Sequence, residues 1–329
     1  MGGDYAPSVT VEGAISALKE SRERFDVLLV GDKDKIISIL SKNNWSFPEE
    51  KIVHAPETIE MTDIPTAAIK SKPNSSMSIC IDLIKQGKAH AFVSAGNTGA
   101  VMTISTLKLG RIQGISRPAI ATLVPTLSGK SLFLDVGANV DCKPFHLYEF
   151  ALMGMVYMKE IFGIENPRIG LLSIGEEDTK GNEVTVAANK ILKESPLNFV
   201  GNVEGRDILK GNVEVIVGDG FIGNIVLKFA EGFLQFFIQK LRDKSKNNLI
   251  DKLKLGLAKP ILKDILKVFD YQEYGGIPLL GVNNIVIIGH GSSSVLAIKN
   301  MIFRAYESYE HQIVERTRSA IEEFRLNNN

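Results

Sequence analysis

The chain has 329 residues, 44% hydrophobic and 23% charged, the values of an ordinary globular protein with room for one large α/β domain or two smaller ones. Lys plus Arg equals Asp plus Glu at 38 each, so no global field recruits nucleic acid, and no nucleic-acid partner is expected. No basic-then-apolar signal segment opens the chain, and no continuous apolar run approaches the roughly 18 residues of a spanning helix. A cytoplasmic protein, attached at most to a membrane surface, is the expectation. Cys80 and Cys142 lie far apart without metal-ligand spacing and read as small buried hydrophobes of a reduced protein.

Short β-rich apolar runs recur along the chain: "DVLLVG" (26–31), "KIVHA" (51–55), "HAFVSAG" (90–96), "AIATLVPT" (119–126) and "SLFLDVG" (131–137). They continue with "RIGLLSIG" (168–175), "NFVGNV" (198–203), "VEVIVGDG" (213–220) and "NIVIIGHG" (284–291). Several are continuous rather than alternating, as expected for strands covered on both faces. Helix-period segments lie between them, among them Ser75–Gln86, Thr98–Leu109, Phe145–Phe162 and Asn182–Lys193. Strand and helix in turn predict an α/β fold, a three-layer α/β/α sandwich on a largely parallel sheet, here one catalytic domain over 1–329.

One segment breaks the alternation. From about Phe221 to Val268 only helix formers appear, and Lys240 to Lys267 carry nine Lys/Arg against three acids, a local net charge of +6. "LKLGLAKPILKDIL" interleaves lysines with leucine and isoleucine. This predicts a basic amphipathic helical hairpin over 228–272 that projects from the sandwich, with Gly256 and Pro260 at its bend.

In open parallel sheets the ligand crevice lies beyond the carboxyl ends of the strands. Those ends here read "SAGNTG" (94–99), "DVGANVD" (135–141), "GEEDTKGN" (175–182), "GDGFIGN" (218–224) and "GHGSS" (289–293). Glycine lets a backbone approach a ligand, Asn, Ser and Thr supply neutral hydrogen bonds, and a following helix N-terminus offers N–H groups to an anion. One such loop is an ordinary strand-to-helix turn; five point to a large polar, anion-tolerant cleft. There is no GxxxxGK[ST], no GxGxxG after the first strand, no G-x-S-x-G and no HExxH. His290, between two glycines at a strand end, is the best-placed histidine, while His54, His90 and His146 read as structural and His311 as solvated.

Taken together, the words "MGGDYAP" (1–7), "SSM" (75–77), "SAGNTGAVM" (94–102), "GRIQGISRPA" (110–119) and "LDVGANVDCKP" (134–144) resemble the bacterial phosphate acyltransferase family of phospholipid synthesis. So do "GIENPRIGLLSIGEEDTKGNE" (163–183), "SPLNFVGNVEGRDI" (195–208), "DGFIGN" (219–224), "EYGGIPLLGV" (273–282) and "HGSSS" (290–294), which together span essentially the whole chain in order. The resemblance implies transfer of a long-chain fatty acyl group from acyl carrier protein to inorganic phosphate. It also implies a fold akin to the isopropylmalate dehydrogenase and phosphotransacetylase group, and a homodimer near the membrane. In that family an apolar strand ending in Asp-Ala precedes the first word, so one more strand upstream of Met1 is expected. Phe145 and Ser294 depart from the family pattern, which favours acidic or amide residues there, and are not assigned to catalysis.

A thioester is already activated and phosphate is already an anionic nucleophile, so positioning and oxyanion stabilisation should dominate. No metal, cofactor or covalent intermediate is expected. Lys180 is the proposed cation, although the three acids upstream of it offer ordinary loop partners. Asn139, Asn97 and Thr98 are candidate donors, Asp4 and His290 candidate orienting or protonating groups, and Asp135 and Asp141 candidate loop holders. Ser94, Gly96, Gly99, Gly137, Gly175, Asn182, Asn224, Gly291 and Ser292 complete the expected phosphate and substrate lining. On the hairpin, Lys252, Lys254 and Lys259 would meet anionic head groups or an acidic carrier protein, with Leu253, Leu255, Leu257, Ile261 and Leu262 entering the bilayer interface. The competing readings are a phosphotransacetylase acting on acyl-coenzyme A and a non-enzymatic lipid- or carrier-binding module.

Overall fold

The apolar runs become strands, each trimmed to its buried centre, in a computed structural model that describes residues 1–247 and 249–327. They are β1 (Leu29–Gly31), β2 (Ile52–His54), β3 (Ala91–Ser94), β4 (Ala119–Thr126), β5 (Gly129–Leu134), β6 (Ile169–Leu172), β7 (Phe199–Val203), β8 (Val215–Val217), β9 (Ile277–Leu280) and β10 (Ile285–Ile288). The helices are α1 (Ser8–Ser21), α2 (Lys33–Lys42), α3 (Pro65–Ser71), α4 (Ser76–Lys85), α5 (Thr98–Lys108), α6 (Pro144–Phe162), α7 (Glu183–Lys193), α8 (Gly220–Asn247), α9 (Leu249–Lys267), α10 (Val295–Glu310) and α11 (Ile313–Asn327). Sequence patterning missed β9, because two glycines precede it and Pro278 sits inside a run of four residues.

Eight strands form one sheet in the order β3-β10-β9-β4-β5-β8-β6-β7. β3 and β10 pair in parallel, as do β5, β8, β6 and β7. The antiparallel pairs are confined to the middle, where β9 runs against β10 and β4, and β4 runs against β5. The mostly parallel α/β/α expectation is met, with a reversal between two parallel blocks that periodicity does not encode. Side chains alternate across the sheet. Leu132, Leu134, Val215 and Val217 face α6, α7 and α11 through Leu147, Phe150, Leu192 and Ile321. Phe133, Ile216, Phe92 and Ile288 face the other way, with Ile81, Val101 and Ile104 of α4 and α5. Burial on both faces explains the continuous apolar runs.

β1 and β2 form a separate parallel pair. Between them and β3 lies a largely apolar cavity of about 650 Å³, lined among others by Leu29, Val30, Met77, Phe92 and Val93. Met1 reaches into it, its ammonium 3.5 Å from the Val30 carbonyl. Cys80 and Cys142 are free and half-buried, and burial pushes both thiols up to about 12, as expected of unreactive cysteines.

The hairpin consists of α8 and α9 packed together. The bend expected at Gly256 and Pro260 does not form there, because α9 runs through both residues. Proline removes one helical hydrogen bond and crowds the carbonyl four residues earlier, which here belongs to Gly256. α8 at Gly220–Lys246 is long and apolar enough to cross a membrane by length and composition, although it contains no unbroken apolar run. The apolar residues of α9 divide between two faces. Leu253, Leu257, Ile261 and Ile265 are each more than half exposed, whereas Leu255 and Leu262 are half-buried. Those two therefore leave the outward face the sequence assigned them. Phe229, Phe233 and Phe236 make a matching exposed stripe on α8.

Candidate active site

The polar loops fall into two sets, one where β3 and β10 end and one where β5, β8 and β6 end. The first set gathers residues far apart in sequence. Gly2 packs on Gly96, Gly3 adopts φ +106° beside the Gly291 carbonyl, and the Asp4 N–H donates to that carbonyl at 2.8 Å. A Cβ on Gly2 would lie 2.8 Å from the Gly96 Cα, so this close backbone approach requires glycine. Ser94 Oγ accepts the Gly96 N–H at 3.1 Å. Thr98 and Gly99 open α5, with Gly99 against Pro65. His290 Nδ1 lies 2.8 Å from Ser292 Oγ. Asp4, Ser94, Gly96, Asn97, Thr98, Gly99, His290, Gly291 and Ser292 thus share one neighbourhood.

Asn97, however, is fully engaged within the protein. Its amide nitrogen faces the carbonyls of Glu60, Met61 and Asp63 at 3.0–3.3 Å, and its Oδ1 caps α5 by accepting the Ala100 N–H at 3.0 Å. It ties the 60–63 loop to the helix and has no amide hydrogen left for a ligand.

Asp135 organises the second set. It is fully buried, and its carboxylate accepts the N–H groups of Ile120, Gly137, Ala138 and Asn139 and the Asn139 side-chain amide at 2.6–3.2 Å. Burial pushes its carboxyl up, and these donors oppose that shift. The Asn139 amide also donates to the Pro118 carbonyl at 2.7 Å, which uses both of its hydrogens. Asn139 is therefore corrected from oxyanion donor to loop brace. Asp135 takes the holding role, while Asp141 is exposed. The Gly220 N–H donates to the Asn139 carbonyl at 2.8 Å, so α8 is rooted in this loop. Its next residues leave no room, since a Cβ on Gly223 would lie 1.9 Å from the Asp135 carbonyl. Asn224 is exposed beside Gly137, and its amide makes no side-chain hydrogen bond among the described residues.

In the loop after β6, none of the three upstream acids pairs with Lys180 among the described residues. Asp178 pairs with Lys193, Glu176 lies 3.8 Å from Arg206, and the Glu177 carbonyl accepts the Lys180 N–H at 3.0 Å. Ser173 Oγ donates to the Lys180 carbonyl at 2.9 Å, and Gly175 packs on the Lys180 stem. The backbone is fixed, the side chain is exposed, and it forms no ion pair among the described residues. Asn182 caps α7, accepting the Thr185 N–H and hydroxyl at 2.9 and 3.0 Å. Exposed apolar side chains sit on the same loops and on the first turns of α8: Val140, Ile174, Phe221, Ile222 and Ile225. Val136 and Ala138 belong to one apolar cluster with Val101, Met102 and Ile104 of α5, so the two sets border a common face.

One further residue escaped the sequence reading. Glu149 is a buried acid in the otherwise apolar α6, and it fastens Ser116. An acid inside the apolar first half of a helix was the available signal. His146 is structural as expected: its Nδ1 accepts the Lys143 N–H at 3.1 Å, and burial with Arg117 and Lys143 nearby pulls its pKa down.

Comparison with known proteins agrees with this architecture. The family profile described as "Fatty acid synthesis protein" matches residues 1–316. The phosphate acyltransferase of Pelotomaculum thermopropionicum is 49% identical over 98% of this chain and 93% of its own length. That of Geobacter sulfurreducens is 47% identical over 98% and 92%. Among solved structures, the EutD phosphotransacetylase from Staphylococcus aureus superposes with a TM-score of 0.59 at 17% identity, over 92% of each chain. A phosphotransacetylase from Streptococcus pyogenes gives 0.58 at 18%, over 94% of this chain and 91% of its own. Likeness at that identity speaks for the fold alone. Over nearly its whole length, the chain belongs to the phosphate acyltransferase family of transferase enzymes.

Proposed function

We propose that the protein transfers a long-chain fatty acyl group from acyl carrier protein to inorganic phosphate, releasing acyl phosphate for phospholipid synthesis. The observation that carries this reading is Lys180, an exposed cation without an ion-pair partner among the described residues, on loops rimmed by exposed Val140, Ile174, Phe221, Ile222 and Ile225. Charge for phosphate and apolar surface for an acyl chain belong to one substrate pair. An oxygen of hydrogen phosphate attacks the thioester carbon, the C–O bond forms, the C–S bond breaks, and the proton lost by phosphate goes to the departing sulfur, so the carrier leaves as a thiol. Lys180 holds the phosphate charge, and the Asn224 amide serves the developing oxyanion. Asp135 and Asn139 keep the loop in shape, and the first set, with Asp4, Thr98 and His290, lines the remainder of the cleft.

We also propose that the exposed stripes of α8 and α9 are covered by a second copy, giving a homodimer. Lys252, Lys254 and Lys259, all exposed, then face an anionic membrane surface. Phosphate with acyl-carrier or acyl-coenzyme A thioesters, followed for acyl phosphate and thiol, tests the reaction. Carrier-dependent product is expected. Coenzyme A alone as donor would turn the assignment to a phosphotransacetylase, and no product from either would remove both. Charge reversal at the three lysines should weaken liposome binding, and unchanged binding would remove the membrane reading.

A further inference from the structure

We infer that Arg117 is a phosphoryl-binding residue of this site and that Glu149 is the residue that positions it. The inference rests on the proposed reaction for its substrates, and on the following geometry for its place.

Residues 116–120 are held by four side chains. The Glu149 carboxylate, 2% exposed, accepts the Ser116 N–H at 2.9 and 3.0 Å and the Ser116 hydroxyl at 2.8 Å, and it also bonds the Arg117 N–H. Asn139 grips the Pro118 carbonyl, and Asp135 accepts the Ile120 N–H at 3.0 Å. The Arg111 guanidinium closes the loop by donating to the Ser116 carbonyl. Two buried carboxylates and a buried amide therefore fix the backbone around one residue whose own side chain is exposed. That side chain makes no ion pair or side-chain hydrogen bond among the described residues.

The surroundings intensify the charge. Burial, and then the charges of Arg117 and Lys143, pull the His146 pKa down, so both cations act on one ring. The acids nearby are engaged: Asp135 is buried among its donors, and Asp219 accepts the Ile222 N–H at 2.8 Å. An arginine on a rigid loop, beside a second cation and without a carboxylate, presents a fork matched to phosphate oxygens. Its strand, β4, lies beside β5 in the sheet, followed by β8 and then by β6, whose loop carries Lys180. At about 4.8 Å between neighbouring strands, the axes of β4 and β6, whose ends lead to Arg117 and Lys180, lie about 14 Å apart with the Asp135 and Gly218 loops between them. That span suits one cation on each side of a thioester and its attacking phosphate. The ligand chemistry is a phosphoryl group, either inorganic phosphate or the phosphodiester of the donor's pantetheine arm.

Binding and turnover together test this. Isothermal titration of the full chain with inorganic phosphate, and separately with 4′-phosphopantetheine, needs no catalysis. Arg117→Ala should weaken one of them by about 10- to 100-fold without changing the melting temperature, since the side chain is exposed. Arg117→Lys should retain part of the affinity. Glu149→Gln should weaken the same ligand while Lys180 and the remaining loops still bind the other. The ligand that responds identifies the source of the phosphoryl group. Wild-type affinity for both ligands in Arg117→Ala overturns the inference, as does turnover with unchanged KM for phosphate and for donor. If the wild type binds phosphate but produces no acyl phosphate, the proposed reaction fails, and the assignment of Arg117 stands only where Arg117→Ala weakens that binding.

Discussion

The two sets of strand-end loops share a vocabulary of glycine, asparagine and serine and use it differently. Around Asn97 the polar groups mostly satisfy one another: one amide holds three carbonyls and a helix cap. Around Asp135 the same kind of bonding is pushed inward, and Lys180, Arg117 and Asn224 are left facing outward. A glycine-rich turn is therefore no measure of reactivity. What separates a brace from a reagent is whether its side chain has partners after the backbone has been satisfied.

The largest expected effect tests the outward-facing group. Lys180→Ala should lower acyl phosphate formation by about 10²- to 10³-fold and leave the melting temperature in place, because no internal contact of its ammonium is lost. Near wild-type turnover would break the comparison. Asn97→Ala should do the reverse in kind, lowering stability by about 2–3 kcal/mol as the cap is lost and carbonyls go unpaired. Chemical denaturation measures it, and an unchanged midpoint would show that Asn97 is not a brace. Asn182→Ala removes only the cap of α7 and should cost about 1 kcal/mol.

The smallest effect is a pH slope. His146 is held below its ordinary 6.5 by burial and then by Arg117 and Lys143. A base whose folded pKa is depressed contributes stability that is present above its unfolded value and lost as pH falls through the folded one. The melting temperature should therefore drop as pH falls below about 6.5, and His146→Asn, which can still accept the Lys143 N–H, should flatten that part of the profile. An identical slope in the variant would assign it to other groups.

Much of this was legible in the sequence. Nine of the strands and the hairpin announce themselves through apolar runs and a basic helical stretch, because burial on both faces leaves a plain compositional mark. Lys180 was readable from its place after a strand end. β9 was not, since Pro278 and two glycines obscure a four-residue strand whose pairing is decided by β4 and β10. Nor were the separate uses of Asn97, Asn139 and Asn224 readable. The three share one side chain and differ only in which acceptors the fold brings within 3.3 Å. Arg117 was hidden for the same reason: its importance lies in Glu149, 32 positions away along the chain and adjacent in space.

The root of α8 has a mechanical consequence. Twenty-eight helical residues make a rod of about 42 Å whose first turn is wedged against the Asp135 carbonyl. The far end of such a lever travels about 7 Å for each 10° of tilt at its base. A tilt of α8 therefore displaces Asn224 on its first turns and torques the loop that carries Asn139.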